Sequence, residues 1–229
     1  MKILSIDTSS PVCAVAILED NNLIKELSQN NGLTHSEKLM PMISQILTET
    51  NLNLKYIDLL VCDKGPGSFT GIRIGVSTVK AFTDSLNIPC IGISSLEALA
   101  YNVNETGIIC PLIDARNDNC YWGIFENING KYKQLYSFSV DNISIILNKL
   151  KHIGASITFV GDGSICFRNQ IEKELPNSKF SSKNDLSAFN LGLAGLNYFK
   201  SNSNKTDELL PLYLRAPKAE QLLKENLNE

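Results

Sequence analysis

Asp7-Thr8-Ser9-Ser10 places a carboxylate beside three hydroxyls, directly after the alternating run Lys2–Asp7. A carboxylate at a strand end can hold a divalent cation. Hydroxyls and backbone N–H groups in a turn can hold phosphate. Asp114-Ala115-Arg116-Asn117-Asp118 offers the carboxylate a second time. It brings no glycine, and Asp118 adds a charge that disfavours an unscreened phosphate. Thr8, Ser9 and Ser10 could supply such a cradle in the first copy, and Asp7 and Asp114 stand at the two matching turns. The competing expectation is that both aspartates only bond their own turns.

Gly65-Pro66-Gly67-Ser68-Phe69-Thr70-Gly71-Ile72-Arg73-Ile74-Gly75 is the other unusual stretch. Gly and Pro break the preceding strand, and Ser68 or Thr70 can cap the helix that follows. No Lys follows its glycines in the phosphate-loop pattern. The stretch reads as a tight strand–helix junction whose small seam, Gly71 and Gly75, admits a close helix crossing. Arg73 opposes the helix dipole in the first turn, so a partner is expected for it, either Asp63 or a carboxylate of another subunit. Arg116 is expected to line a cleft between two lobes. Spacing alone assigns no role to Gly65, Gly67, Ser68, Phe69, Thr70, Arg73 or Arg116.

Metal chemistry finds little support. His35 and His152 are the two histidines, and Leu39 stands four residues after His35. A catalytic zinc takes about three protein ligands, and no H-E-x-x-H is present. No metal site is expected, and no catalytic residue is assigned. The cysteines form no C-x-x-C pair and read as buried, reduced thiols.

These residues need elements to carry them. Three strands, 2–7, 12–18 and 23–28, form a meander. Thr34 and Glu37 form a capping box that opens a helix to about Thr50, with Pro41 inside it. A strand over 57–62 leads into the glycine-rich turn. A second helix follows, then a strand over 90–93 and a short helix capped by Ser94. Asp114 follows Asp7, and Cys120 follows Cys13, at one offset of 107 positions (7 to 114, 13 to 120). The second half repeats the meander over 108–138. A helix over 141–151, a strand over 157–161 and a helix opened by Gly161-Asp162-Gly163-Ser164 come next. A helix capped by Asp185 runs to Lys200. An extended stretch, 209–215, and a terminal helix over 216–228 end the chain.

The fold class is α/β, two duplicated βββαβα lobes. Residues 1–104 are expected as the N-terminal lobe and 105–204 as the C-terminal lobe. Residues 205–229 are expected to pack back on the first. With 229 residues, 43% of them hydrophobic, the chain can bury a sizeable core. A net charge of −3 argues against a free-standing nucleic-acid binder. The N-terminus has no leader-like apolar run, and no stretch is long enough to span a membrane, so a cytoplasmic protein is expected. The helices from Thr34 and Thr70 are expected to turn apolar faces outward as an interface. Its residues are Leu39, Met40, Ile43 and Leu47 on one, and Gly71, Ile72, Gly75, Val76 and Val79 on the other. On that reading Val76→Glu leaves a folded monomer.

The duplicated unit with its Asp-Thr-Ser turn resembles the actin-like ATPase / sugar-kinase / Hsp70 superfamily, whose kinases hold Mg²⁺ and phosphate at these two turns, and the resemblance makes Asp7, Thr8, Ser9 and Asp114 the candidates for holding a nucleotide. Ile6-Asp7-Thr8-Ser9, His35-Ser36-Glu37, Gly65 to Gly75, Asp114-Ala115-Arg116, Gly161-Asp162-Gly163 and Pro211-Leu212-Tyr213-Leu214-Arg215 resemble the TsaB (YeaZ) family, in order and over nearly the whole chain. The Gly-Pro-Gly-Ser-Phe-Thr-Gly run is the most specific part. The resemblance implies a non-catalytic scaffold in forming N6-threonylcarbamoyladenosine beside the tRNA anticodon. It implies a TsaD-like paralogue and a TsaE-like ATPase as partners, a homodimer when alone, and tRNA met through the complex. It implies no cofactor of the chain's own, with ATP and metal in the partner subunits. An active ATPase or phosphotransferase of the superfamily is the alternative.

Overall fold

The computed structural model describes residues 1–30, 32, 34–203 and 205–215. The terminal helix expected over 216–228 lies outside the described residues. The first half forms strands β1 (Lys2–Asp7), β2 (Cys13–Glu19), β3 (Asn22–Gln29), β4 (Leu59–Asp63) and β5 (Cys90–Ile93). Its helices are α1 (His35–Glu49), α2 (Phe69–Leu86) and α3 (Ser95–Ala100). The second half forms β6 (Gly107–Asp114), β7 (Asn119–Ile128), β8 (Lys131–Asn142), β9 (Ile157–Val160) and β10 (Lys179–Phe180). Helices α4 (Ile143–Leu150), α5 (Asp162–Cys166), α6 (Arg168–Glu174) and α7 (Ala188–Ser201) accompany them.

Two five-stranded sheets result, ordered β3-β2-β1-β4-β5 and β10-β9-β6-β7-β8. Read from the meander edge, the two orders are the same, which is the duplication in three dimensions. In each, the meander is antiparallel and the later strands run parallel to the first. β4 is buried along its length, as a central parallel strand covered on both faces should be.

The sequence offset is not kept in the pairing. Asp7 lies opposite Ala14, whereas Asp114 lies opposite Cys120. The second turn is therefore one residue shorter. It closes through three consecutive left-handed residues, Arg116, Asn117 and Asp118, at φ 67, 53 and 58°. Two of these are the residue types that tolerate that conformation best.

Capping explains several boundaries. The Glu37 carboxylate accepts both the Thr34 N–H, at 2.8 Å, and the Thr34 hydroxyl, at 2.6 Å. Ser68, not Thr70, caps α2 by accepting the Gly71 N–H at 3.2 Å. Ser187, not Asp185, caps α7. The Asn102 amide donates to the carbonyls of Lys183 and Asp185 and holds that stretch out of the helix. Asp141 stays in β8, where its carboxylate accepts from Trp122 Nε1 and Lys149, and Asn142 caps α4 instead.

Helices α1 and α2 cover one face of the first sheet. The other face is covered by α7, which packs on β1, β2 and β5. The block 105–204 expected as one C-terminal lobe therefore gives its last helix to the first sheet. Ala188, Leu191 and Ala194 are buried in this contact, and Gly192 and Gly195 let α7 approach Leu18 and Val61. α3 is buried on every side. It meets α7 with Ala98 and Tyr101, and the second sheet with Leu99, Ala100 and Val103.

This packing overturns the expected outward faces. Leu39, Ile43, Ile72, Val76 and Val79 all lie in the core between the two helices and the sheet. An amphipathic helix buries its widest apolar stripe first, and the sheet takes it. Of the residues named for the interface, Met40 is exposed and Leu47 half-buried. Five cysteines are buried as expected, but Cys166 is exposed.

The expected outcome of Val76→Glu is reversed accordingly. It places an unpaired carboxylate in the core and should cost about 3–5 kcal/mol. Urea unfolding followed by circular dichroism measures this, and a fully stable, monomeric variant would contradict the packing described.

Candidate functional site

β1 and β4 are parallel neighbours with Ile6 beside Cys62, so Asp7 and Asp63 end their strands side by side. Both are buried. Asp7 Oδ1 accepts the Ser9 N–H at 2.7 Å and contacts Ser9 Oγ at 2.8 Å. Ser9 Oγ also lies 3.1 Å from Asp63 Oδ2. Asp63 Oδ1 accepts the Gly65 N–H at 2.7 Å and the Ser95 hydroxyl at 2.6 Å. A hydroxyl has one proton to donate, so Ser9 serves one carboxylate as donor. The contact with the other needs a proton on the acid. Asp7 Oδ2 has no partner. Burial pushes Asp7 up to about 6, against the lowering effect of its bonds with Ser9. Burial, and then the charge on Asp7, raises Asp63 well above the ordinary carboxylate range. Two carboxyls this close and this dry cannot both ionise cheaply, so each raises the other's hold on a proton.

The glycine-rich run forms the lid over this pair. The Ser68 N–H donates to the Ser9 carbonyl at 2.7 Å, and the Thr8 hydroxyl donates to the Gly71 carbonyl at 2.7 Å. A Cβ on Gly67 would overlap the Ser9 carbonyl, and one on Gly71 the Thr8 carbonyl. The seam of Gly71 and Gly75 thus receives the chain's own Thr8, where another subunit was expected. Gly65 takes φ +100°, and its peptide to Pro66 is cis.

In the second lobe, Asp114 is more open. Its Oδ1 accepts the Arg116 N–H at 2.8 Å, and the Arg116 guanidinium stands 3.5 Å from Oδ2. The Asp114 N–H donates to Asp162 Oδ1 at 3.0 Å, and burial raises Asp162. Between the lobes lies a cavity of about 580 Å³, lined by Ser9, Ser10, His35, Ser68, Asp114 and Arg116 among others. Arg116 thus lines the interlobe cleft, as expected. His35 opens α1, and its Nδ1 is buried without a partner. Burial, with Lys38 nearby, lowers its affinity for a proton. His152 lies in the other lobe, after α4. Among the described residues no group of three or more His, Cys, Asp or Glu side chains could hold a metal.

The expected Arg73–Asp63 pair does not form, because Asp63 is sealed inside. Arg73 Nε donates instead to the Tyr213 hydroxyl at 2.8 Å. Phe69 and Tyr213 stack at 4.2 Å with their planes 9° apart, and the guanidinium lies 5.7 Å from each ring centre. In the sequence Tyr213 figures only within the motif over 211–215, Asp63 only as a partner for Arg73, and Ser95 not at all. Two strands each ending in Asp were the available signal, since parallel neighbours bring such ends together.

The architecture is that of the two-lobed actin-like and sugar-kinase class. A ROK family protein from Streptococcus pneumoniae shares it at a TM-score of 0.54 with 11% identity, covering 90% of this chain and 100% of that one. A family model described as "TsaD: tRNA N6-adenosine threonylcarbamoyltransferase" matches residues 27–227. The Haemophilus influenzae tRNA threonylcarbamoyladenosine biosynthesis protein TsaB is 30% identical over 94% of both chains. The Bacillus subtilis TsaB is 33% identical over 79% of both. A Pseudomonas aeruginosa structure, described as an uncharacterized protein with similarity to peptidase YeaZ, superposes at a TM-score of 0.79. It shares 25% identity, over 93% of this chain and 99% of that one. The chain belongs to the TsaB family.

The raised carboxyl pair makes stability depend on pH. Between about pH 4 and pH 6 the folded chain holds a proton that the unfolded chain has released, so stability falls as pH rises through that window. Asp7→Asn removes one carboxyl and should flatten this slope. Urea unfolding at pH 4.5 and pH 7 compares the two, and an unchanged slope in the variant would place the proton elsewhere.

Proposed function

We propose that this chain is a non-catalytic partner subunit in the N6-threonylcarbamoyladenosine modification of tRNA. The names of its TsaB relatives and of the matching threonylcarbamoyltransferase model support the pathway. The burial of Asp7 supports the absence of turnover. In a working member of the superfamily that strand-end carboxylate must face Mg²⁺ and phosphate. Here it sits under Gly67 and Ser68, turned toward Asp63, and the cleft meets only the turn's outer side. Asp114 is tied to Arg116 in a turn without glycine. ATP and metal then belong to the partner subunits, a TsaD-like paralogue and a TsaE-like ATPase, and tRNA is met through the complex. The interlobe cavity favours the alternative, a nucleotide-driven phosphotransferase, but that chemistry would need Asp7 uncovered.

The partner face is the outer side of α1 and α2. Met40 is exposed there, beside a groove of about 470 Å³ lined by Thr70, Arg73, Ile74 and Ser77. Methionine repacks readily, which suits one surface serving a second copy of the chain and then the paralogue. The core residues beneath hold this surface in shape.

The test replaces Met40 and Ser77 by Asp, singly. Each variant should keep its fold and lose association with the TsaD-like paralogue and with itself by at least about tenfold. In a reconstituted tRNA assay, modification should fall in parallel. Modification at full rate with the chain left out would overturn the scaffold role.

A further inference from the structure

The C-terminal stretch 205–215 has no counterpart in the duplicated unit, and it touches both lobes. Leu209 is buried in the first lobe's core, where Gly92 leaves room for its side chain. The Leu212 N–H donates to the Lys64 carbonyl at 2.7 Å, and the Leu212 carbonyl lies close to Gly65. Tyr213 stacks on Phe69 and accepts from Arg73, both in the first turns of α2. Two residues later, Arg215 Nη1 donates to the Ala115 carbonyl at 2.9 Å, in the second lobe's left-handed turn. Ala115 and Gly67 both line the interlobe cavity, so the stretch runs from one wall of the cleft to the other.

We propose that residues 209–215 are a strap that sets the opening of the interlobe cleft and transmits it to the first turn of α2. The lobes are joined elsewhere by α3 and the residues after it, through Leu99, Ala100 and Val103, by the Asn127 amide on the carbonyls of residues 103–105, and by the stretch leading into α7, where Asn184 accepts the Gly161 N–H and the Asn102 amide holds the carbonyls of Lys183 and Asp185. In the proposal the lobes turn about α3, where these ties cluster. The Arg215 bond is the strap's tie to the second lobe. It reaches a carbonyl at the base of a turn held rigid by three left-handed residues. Tyr121 lies near the same guanidinium: burial raises its hydroxyl, and the positive charge of Arg215 offsets part of that rise.

The first-lobe end of the strap is built for rigidity. Gly65 cannot carry a side chain, because a Cβ there would meet both Ile72 and the Leu212 carbonyl. The strap therefore rests on the backbone of the same turn that seals Asp7. Arg73 bridges the strap and α2 with one hydrogen bond and two ring faces. Any shift of Arg215 relative to Tyr213 is delivered to Phe69 and Arg73, at the start of α2 and at the rim of the α1–α2 groove. The inference stands on contacts within the chain and holds whatever protein meets that groove.

Two readouts test it in the full chain. One spin label goes on the exposed Cys166 of the second lobe, and one on the first lobe through Lys55→Cys, which is also exposed. Arg215→Ala should lengthen and broaden the distance distribution between them. Arg215→Lys, which keeps a donor, should restore most of it. Amide exchange over residues 69–72 should rise about tenfold in Tyr213→Ala, the loss of one hydrogen bond and one ring stack. Tyr213→Phe keeps the stack and should give a smaller rise. A distance distribution in Arg215→Ala that superimposes on the parent's overturns the proposal. So does exchange at 69–72 that Tyr213→Ala leaves unchanged.

Discussion

The approach of two backbones, Thr8–Ser9 and Gly67–Gly71, fixes most of the molecule. Carbonyls of the first stretch stand where side chains of the second would have to be. Only glycine permits that distance, and the distance is what permits the Ser68 N–H to close on Ser9. With the contact made, the ends of β1 and β4 lose access to water, and Asp7 and Asp63 share a buried site in which both hold their protons more tightly than usual. An unpaired buried charge costs several kcal/mol, so the site persists only because Ser9, Ser95 and the Gly65 N–H are all turned inward. The corner between the two strand ends is filled by the chain's own backbone.

Several larger features follow. Docking the turn on Ser9 aims α2 along the sheet, and α2 with α1 then covers one sheet face. The opposite face needs a second cover, and α7 provides it from 183 residues away: the Ser5 hydroxyl donates to the Ala188 carbonyl at 2.6 Å. The lobes are thus interleaved, the first sheet being completed by a helix from the second half and strapped by the residues beyond it. α3 lies between the two sheets as the shared element. Interleaving of this kind raises the cost of separating the lobes.

Local signals in the sequence were legible because their physics is local. Thr34 and Glu37 announce a capping box, and the box forms. Alternation in 2–7 and the apolar run over 108–114 announce strands, and both form. The repeat of Asp7 and Asp114 announces duplication, and the two sheet orders agree. The inside face of α1 and α2 was not legible. Leu39 and Met40 are neighbours of like polarity, and only the position of the sheet decides that one is buried and the other exposed. The small seam of Gly71 and Gly75 signals a close neighbour but does not say which, and the neighbour is Thr8 rather than a second subunit. The Arg73–Tyr213 contact spans 140 residues, and nothing in either segment names the other. The Asp7–Asp63 pair lay within reach, since it needs only the parallel pairing of two strands that each end in Asp.

The sealing of Asp7 is the central claim, and nucleotide binding by the isolated chain tests it most directly. Calorimetric titration with ATP and Mg²⁺ at millimolar concentrations should show no saturable, metal-dependent binding and no turnover. Mg²⁺-dependent hydrolysis by the chain alone, abolished by Asp7→Asn, would contradict it.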